Sequence, residues 1–243
     1  MFDNDYEIEN NQNSVIRNKQ DDTLYVLKQY INQYYSKEKP ILDLGSGDGH
    51  YHKYFENPFV GLDRDKEYKG KKTDVYIKQD LESFPYKELP KEKLPFKFVV
   101  ALDVFEHLVR PDMVLQYIKQ DHRLFDNKCY VFLSVPNINT LDDKLLNINT
   151  AAYFPELKKH TSGRWNASHL RFFDLQSLIY IAENTGYKIV TMSGSNFHTS
   201  NLFGQLGNSF KNIGIDGINF CNALRNTEFS LYAPNLCILL QKK

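Results

Sequence analysis

The chain has 243 residues, a length that suits one α/β domain with insertions or one domain with a small lid and leaves room for a sizeable core. Its 30 basic and 30 acidic residues cancel, so no bulk electrostatic drive toward nucleic acid or an anionic membrane is implied. Cys129, Cys221 and Cys237 are odd in number and show no Cys-x-x-Cys spacing, which argues against a disulfide framework and for reduced thiols in a cytoplasmic protein. The polar start Met1-Phe2-Asp3-Asn4-Asp5 is no signal peptide, and no apolar run reaches the length of a membrane span.

In chain order, residues 1–39 read as an N-terminal helical segment. Apolar residues at Leu24, Leu27, Tyr30 and Tyr34 have helical spacing and predict a helix over about Asp21–Tyr35. Residues 40–243 read as the main domain. Ile41-Leu42-Asp43-Leu44 is a short buried strand, Gly45-Ser46-Gly47-Asp48-Gly49 a tight turn, and a helix starts near His50. Phe59–Asp63 is the second strand, Lys66–Lys72 a short charged link and Val75–Gln79 the third strand. Pro85, Pro90 and Pro95 make 82–95 a loop. Phe96–Leu102 is the fourth strand. A helix then runs from Pro111 to about Phe125, with proline at a favoured first-turn position. Cys129–Val135 is the fifth strand, and Asn139–Ser168 an inserted lid. The next helix, Leu175–Thr185, is capped by Asp174 and ended by Gly186. Tyr187–Met192 is the sixth strand, 193–230 a second insertion and Asn235–Gln241 the last strand. This alternation predicts a mostly parallel, doubly wound sheet with ligands at the strand C-termini.

Glycines at a strand-to-helix turn permit tight backbone geometry and close approach of a ligand. Asp63 ends the second strand, where a carboxylate can accept both hydroxyls of a ribose. Asp80 follows the third strand, where one can accept from an adenine amino group. On these residues the sequence resembles the class I S-adenosylmethionine-dependent methyltransferases, from about Pro40 to the C-terminus. Asp-Leu-Gly-Ser-Gly-Asp-Gly at Asp43–Gly49 matches that family's first motif, and Gly-x-Gly-x-Gly separates it from the Gly-x-Gly-x-x-Gly of nicotinamide enzymes. The resemblance implies a seven-stranded, Rossmann-like sheet whose last strand is antiparallel, and S-adenosylmethionine as cofactor. It implies cofactor contacts from Asp43, Gly45, Gly47, Gly49, Asp63, Asp80, Leu81 and Asp103.

The second constellation is Asp103-x-x-Glu106-His107 after the fourth strand, with His169 beyond the lid. Two carboxylates and two imidazoles make a candidate divalent-metal site. The pattern is similar to small-RNA 3′-terminal 2′-O-methyltransferases, in which such a cluster holds an ion that grips both hydroxyls of a ribose, and to ubiquinone-type O-methyltransferases, which act on catechols. Asp103 stands where the small-RNA enzymes carry Glu. The metal set is Asp103, Glu106, His107 and His169; the catalytic set is Glu106, His107 and His169. His50, His52, His122, His160 and His198 lack acidic partners at ligand spacing and read as surface or pocket-lining residues.

An alcohol is a poor nucleophile, and a bound Mg, Mn or Fe ion lowers its pKa, so hydroxyl acceptors suit this cluster. Trp165, Arg164, Arg171 and Lys211 in or beside the insertions suit a sugar and a phosphate. The expected substrate is therefore a small molecule, a sugar that is nucleotide-linked or a polysaccharide precursor, and not nucleic acid or membrane. The competing readings are a catechol- or quinone-type O-methyltransferase, an RNA 2′-O-methyltransferase and a non-catalytic cofactor-binding module.

Overall fold

The computed structural model describes residues 23–64, 67–140, 168–196 and 227–243. They form one seven-stranded sheet: β1 (Ile41–Leu44), β2 (Phe59–Asp63), β3 (Val75–Lys78), β4 (Phe96–Leu102), β5 (Phe125–Pro136), β6 (Tyr187–Ser195) and β7 (Asn235–Lys242). The spatial order is β3-β2-β1-β4-β5-β7-β6. The first five strands pair in parallel, and β7 runs antiparallel to both β5 and β6. This is the sheet expected from the alternation of the sequence and from the family resemblance.

Period-two alternation assigns each strand residue to one of two apolar layers. Leu42, Leu44, Val60 and Leu62 face helices α2 (Pro111–Gln120) and α3 (Leu175–Asn184), which bury Val114, Leu115, Ile118, Leu178 and Ala182. Ile41, Phe59, Phe98 and Val100 face the other way, against Val26, Leu27, Tyr30 and Ile31 of α1 (Thr23–Tyr34). The Tyr30 hydroxyl donates to Ser193 Oγ at 3.1 Å, and Thr23 Oγ1 lies 2.8 Å from Ser195 Oγ. Helix α1 therefore spends its apolar face on the sheet.

Three expectations change. The segment after the glycine turn is a 3-10 turn, His50–Tyr54, not an α-helix. Nine residues separate Gly49 from β2, the last of them Pro58, and that span cannot hold several helical turns and the return to the sheet. Helix α2 stops at Gln120, not Phe125, because the Asp121 carboxylate accepts from the Arg123 backbone N–H and guanidinium, a local turn that competes with the helix; β5 consequently starts at Phe125. Strand β6 continues to Ser195, so residues 193–195 belong to the sheet, not to the second insertion. The capping box between Asp174 and Ser177 starts α3 as expected, and Gly186 at φ 75° follows its end. Most of 139–168 and 193–230 lies outside the described residues, including Trp165, Arg164, His160, His198, Lys211 and Cys221.

Candidate functional site

The carboxyl ends of β1, β2, β3 and β4 converge on one edge of the sheet. At the end of β1, Gly45, Gly47 and Gly49 have φ of 70°, 55° and 69°, a left-handed conformation that side chains disfavour. The turn is hung on β2: the N–H groups of Gly45 and Ser46 donate to Leu62 O at 2.8 and 3.1 Å. A Cβ on Gly47 would meet nothing within 4 Å, whereas one on Gly45 would strike Val104 at 2.5 Å. Gly47 therefore borders open space, as close approach of a ligand requires.

Asp63 stands beside this turn, and its Oδ2 accepts from the Gly47 N–H at 2.9 Å. One oxygen of the expected ribose ligand thus also fixes the glycine turn. Asp80 is exposed beyond β3, and its Oδ1 accepts from the Glu82 N–H at 2.8 Å. Leu81 is buried and takes the Tyr86 hydroxyl on its carbonyl. The Glu82 carboxylate accepts from the N–H groups of Val109 and Arg110, which ties the loop after β3 to the loop after β4.

Asp43 is placed differently from the expectation. It is 1% exposed and faces the 3-10 turn. Its Oδ2 accepts from the Tyr51 hydroxyl at 2.6 Å and meets His52 Nε2 at 2.7 Å. Its position inside the apolar layer, third in a four-residue strand, directs it to hold the turn down rather than to face a cofactor. His52, read as surface or pocket-lining, is 0% exposed. Its acidic partners, Asp43 and Asp74, are far off in sequence at 9 and 22 positions, so no local spacing shows them.

Below β4 the chain passes Asp103, at φ 52°, into a 3-10 turn at Phe105–His107. Glu106 is 2% exposed, and both its carboxylate oxygens lack a hydrogen-bond partner among the described residues. Burial, reinforced by the charge of Asp103, pushes its pKa up to about 9. The Glu106 backbone carbonyl accepts from the N–H groups of Leu170 and Arg171 at 2.7 and 3.0 Å, which brings the distant His169 back onto the site. The His107 and His169 rings lie 4.8 Å apart, edge to face, and one ligand atom from each of Glu106, His107 and His169 lies within 4.8 Å of the others. His107 Nδ1 is 3.1 Å from the Ser168 carbonyl. That contact requires a proton on Nδ1 and leaves the Nε2 lone pair for a ligand.

Asp103 does not join the three. Its Oδ1 accepts from Ser134 Oγ at 3.1 Å and Asn235 Nδ2 at 3.0 Å. The left-handed backbone at its position turns the side chain toward β5 and β7. Arg171, expected to face a phosphate, donates to the carbonyls of Leu170 and Val109.

A family profile described as a methyltransferase domain matches residues 19–192, well over half of the chain. No curated protein matches in sequence. Among solved structures, the chain is similar to a methyltransferase of Thermotoga maritima, with 12% identity, 95% and 94% of the two chains covered and a TM-score of 0.56. It is similar to one from Archaeoglobus fulgidus, with 18% identity, 96% and 95% covered and a TM-score of 0.50. A cyclopropane synthase of Mycobacterium tuberculosis shares 12% identity, over 90% and 84% of the chains, with a TM-score of 0.56. At such identities the likeness speaks for the fold alone. Together with the glycine turn and its acids, the match over residues 19–192 means that the chain belongs to the methyltransferase-domain family and is a class I S-adenosylmethionine-dependent methyltransferase.

Proposed function

We propose that the enzyme transfers a methyl group to a hydroxyl with the help of a divalent ion held by Glu106, His107 and His169. The observation that carries this reading is the pair of unpartnered oxygens on the buried Glu106, aimed into a cluster with two imidazoles. A buried carboxylate without a hydrogen bond costs several kcal/mol. A hard cation with nitrogen and oxygen ligands removes that cost.

When bound, S-adenosylmethionine supplies a methyl group already activated as a sulfonium. A divalent ion would lower the pKa of the acceptor hydroxyl and hold an adjacent one. The chain's own contribution is to hold and orient. The open face of Gly47 and the carboxylates of Asp63 and Asp80 suit the nucleoside part of the cofactor, and Leu81 lends an apolar edge. The Ser168 carbonyl holds the His107 ring in the tautomer that presents Nε2. With their lone pairs on the ion, both imidazoles carry a proton on the other nitrogen, so the hydroxyl proton passes to a base outside the three ligands.

The favoured acceptor is a sugar with neighbouring hydroxyls, nucleotide-linked or a polysaccharide precursor. This choice rests on residue types in the insertions and on the balanced charge of the chain. A catechol is the second reading. Val109 and Leu170, 54% and 49% exposed beside the Glu106 loop, offer apolar surface to an aromatic ring. Metal analysis with turnover of nucleotide sugars and catechols, before and after EDTA, tests both. One bound divalent ion and EDTA-sensitive transfer to one acceptor class support the proposal. Full activity without metal overturns it.

A further inference from the structure

Between the sheet and the 3-10 turn His50–Tyr54 lies a buried polar cluster that the chemistry above does not use. His52 stacks on Phe59 of β2, with ring centroids 3.9 Å apart and planes 8° from parallel. Its Nε2 faces Asp43 Oδ2 of β1 at 2.7 Å, and its Nδ1 faces the Tyr68 hydroxyl at 2.8 Å and Asp74 Oδ2 at 3.4 Å. The Tyr68 hydroxyl donates its proton to Asp74 Oδ2 at 2.6 Å, so toward His52 its oxygen can only accept. Asp74 also accepts from the N–H groups of Phe59 and Lys71, and the Lys71 ammonium lies 3.9 Å from its Oδ1. Tyr51, on the histidine's own turn, donates to Asp43. Both ring nitrogens therefore face acceptors, and both must carry protons to satisfy them. Two carboxylates then meet one imidazolium and one ammonium, and the buried cluster is neutral.

The cluster is wired to the glycine turn. The His52 N–H donates to the Gly49 carbonyl at 3.0 Å, and the Lys69 N–H to the Asp48 carbonyl at 2.6 Å. The Tyr68 ring packs so closely on Gly49 that a Cβ there would lie 2.2 Å from it. A five-residue 3-10 turn has little helical stability of its own, so its position depends on this cluster.

We propose that His52 is a positioning residue for the cofactor: a buried imidazolium, clamped between Asp43 and the Tyr68–Asp74 pair, that holds the glycine turn in its binding shape, so that affinity for the cofactor falls when the ring loses its proton. Burial works against the charged ring, but the hydrogen bonds and charges of Asp43 and Asp74 outweigh it and raise the His52 pKa. The contribution to stability is therefore complete below the ordinary histidine pKa and is lost as the pH rises through the raised folded value. By linkage, a ligand that prefers the clamped turn must itself strengthen proton binding at His52. The inference rests on cofactor binding at the glycine turn and is independent of the metal and of the acceptor.

The test is calorimetric binding of S-adenosylhomocysteine and 5′-methylthioadenosine between about pH 6 and about pH 9, in paired buffers of different ionisation enthalpy. The second probe lacks the amino group that would itself titrate. Nitrogen NMR of the histidine rings follows the protonation of His52. Affinity for both probes should fall about tenfold, with proton uptake on binding, over the range in which the His52 ring titrates. His52→Gln should bind weakly at every pH. Tyr68→Phe, which keeps the ring on Gly49 but removes one acceptor, should move the profile to lower pH together with the His52 titration, even if His52→Gln fails to fold. Wild-type affinity that stays level while His52 titrates, or a Tyr68→Phe profile that does not follow the His52 titration, overturns the inference. Absence of binding by the wild type at any pH would instead overturn the cofactor assignment.

Discussion

Asp43 and Glu106 are both buried carboxylates near the carboxyl edge of the sheet, and they are opposites. Asp43 is 1% exposed and accepts from a tyrosine and a histidine. Glu106 is 2% exposed, and neither of its oxygens has a partner among the described residues. Burial is the same and satisfaction is not. A buried charge with its partners in place belongs to the architecture. One without them holds a free-energy cost that a ligand can remove. If the proposed function holds, the difference separates the scaffold of the cofactor turn from the working part of the acceptor site.

The strongest way to break the comparison is Glu106→Gln. Turnover should drop about a thousandfold, roughly 4 kcal/mol, and metal content should drop with it. Compared in EDTA, with both proteins metal-free, the melting temperature should hold or rise, because the variant no longer carries an unpaired buried acid. A variant with wild-type turnover would place Glu106 among the structural residues. Asp74→Ala should do the reverse. It strips the partner from Tyr68, Lys71 and His52, and stability should fall by about 3 kcal/mol in denaturant titration, with metal content unchanged. Loss of metal in a still-folded Asp74→Ala would mean that the two regions are one.

Asp63→Ala comes next, because Asp63 belongs partly to each kind. It accepts from Gly47 N–H and stands where a ribose would sit. Affinity for S-adenosylhomocysteine should weaken by about 2 kcal/mol, close to thirtyfold. The melting temperature in the absence of ligand should move far less. Unchanged affinity would confine Asp63 to the turn.

The same contrast explains what the sequence made legible. The strands carried their own signals: apolar runs punctuated by glycine and proline place β1, β2 and β4 to the residue. Glu106 and His107 were legible because they are neighbours, and His169 because it follows the lid and can return over the same pocket. Asp43 was legible as a motif but not as to its task, since the motif does not say which face of β1 it occupies. His52 was passed over because its partners come from β1 and from the residue before β3, which meet only in the folded sheet. One signal was available: nine residues between Gly49 and Phe59 leave no room for a full helix, and a short turn needs something other than an apolar stripe to hold it. Asp103 was drawn into the metal set by its spacing. Its left-handed backbone, which sends it to Ser134 and Asn235, has no sequence signature.

The smallest expected effect sharpens the rule that an unpartnered buried group marks a site. Ser46 Oγ is also buried without a partner among the described residues, in the middle of the glycine turn. It is a neutral hydroxyl pressed against β2; a Cβ on Gly61 would lie 2.6 Å from it. The strand closes the space that a ligand would need, and no charge is present to be neutralised. Ser46→Ala should therefore leave affinity for S-adenosylhomocysteine unchanged and alter stability by less than about 1 kcal/mol, in the stabilising direction, since an unmade hydrogen bond disappears with the hydroxyl. Calorimetry and thermal melts read both quantities. A clear loss of affinity would mean that the hydroxyl reaches the cofactor in the bound state, and that the satisfied side of the glycine turn rearranges when the cofactor arrives.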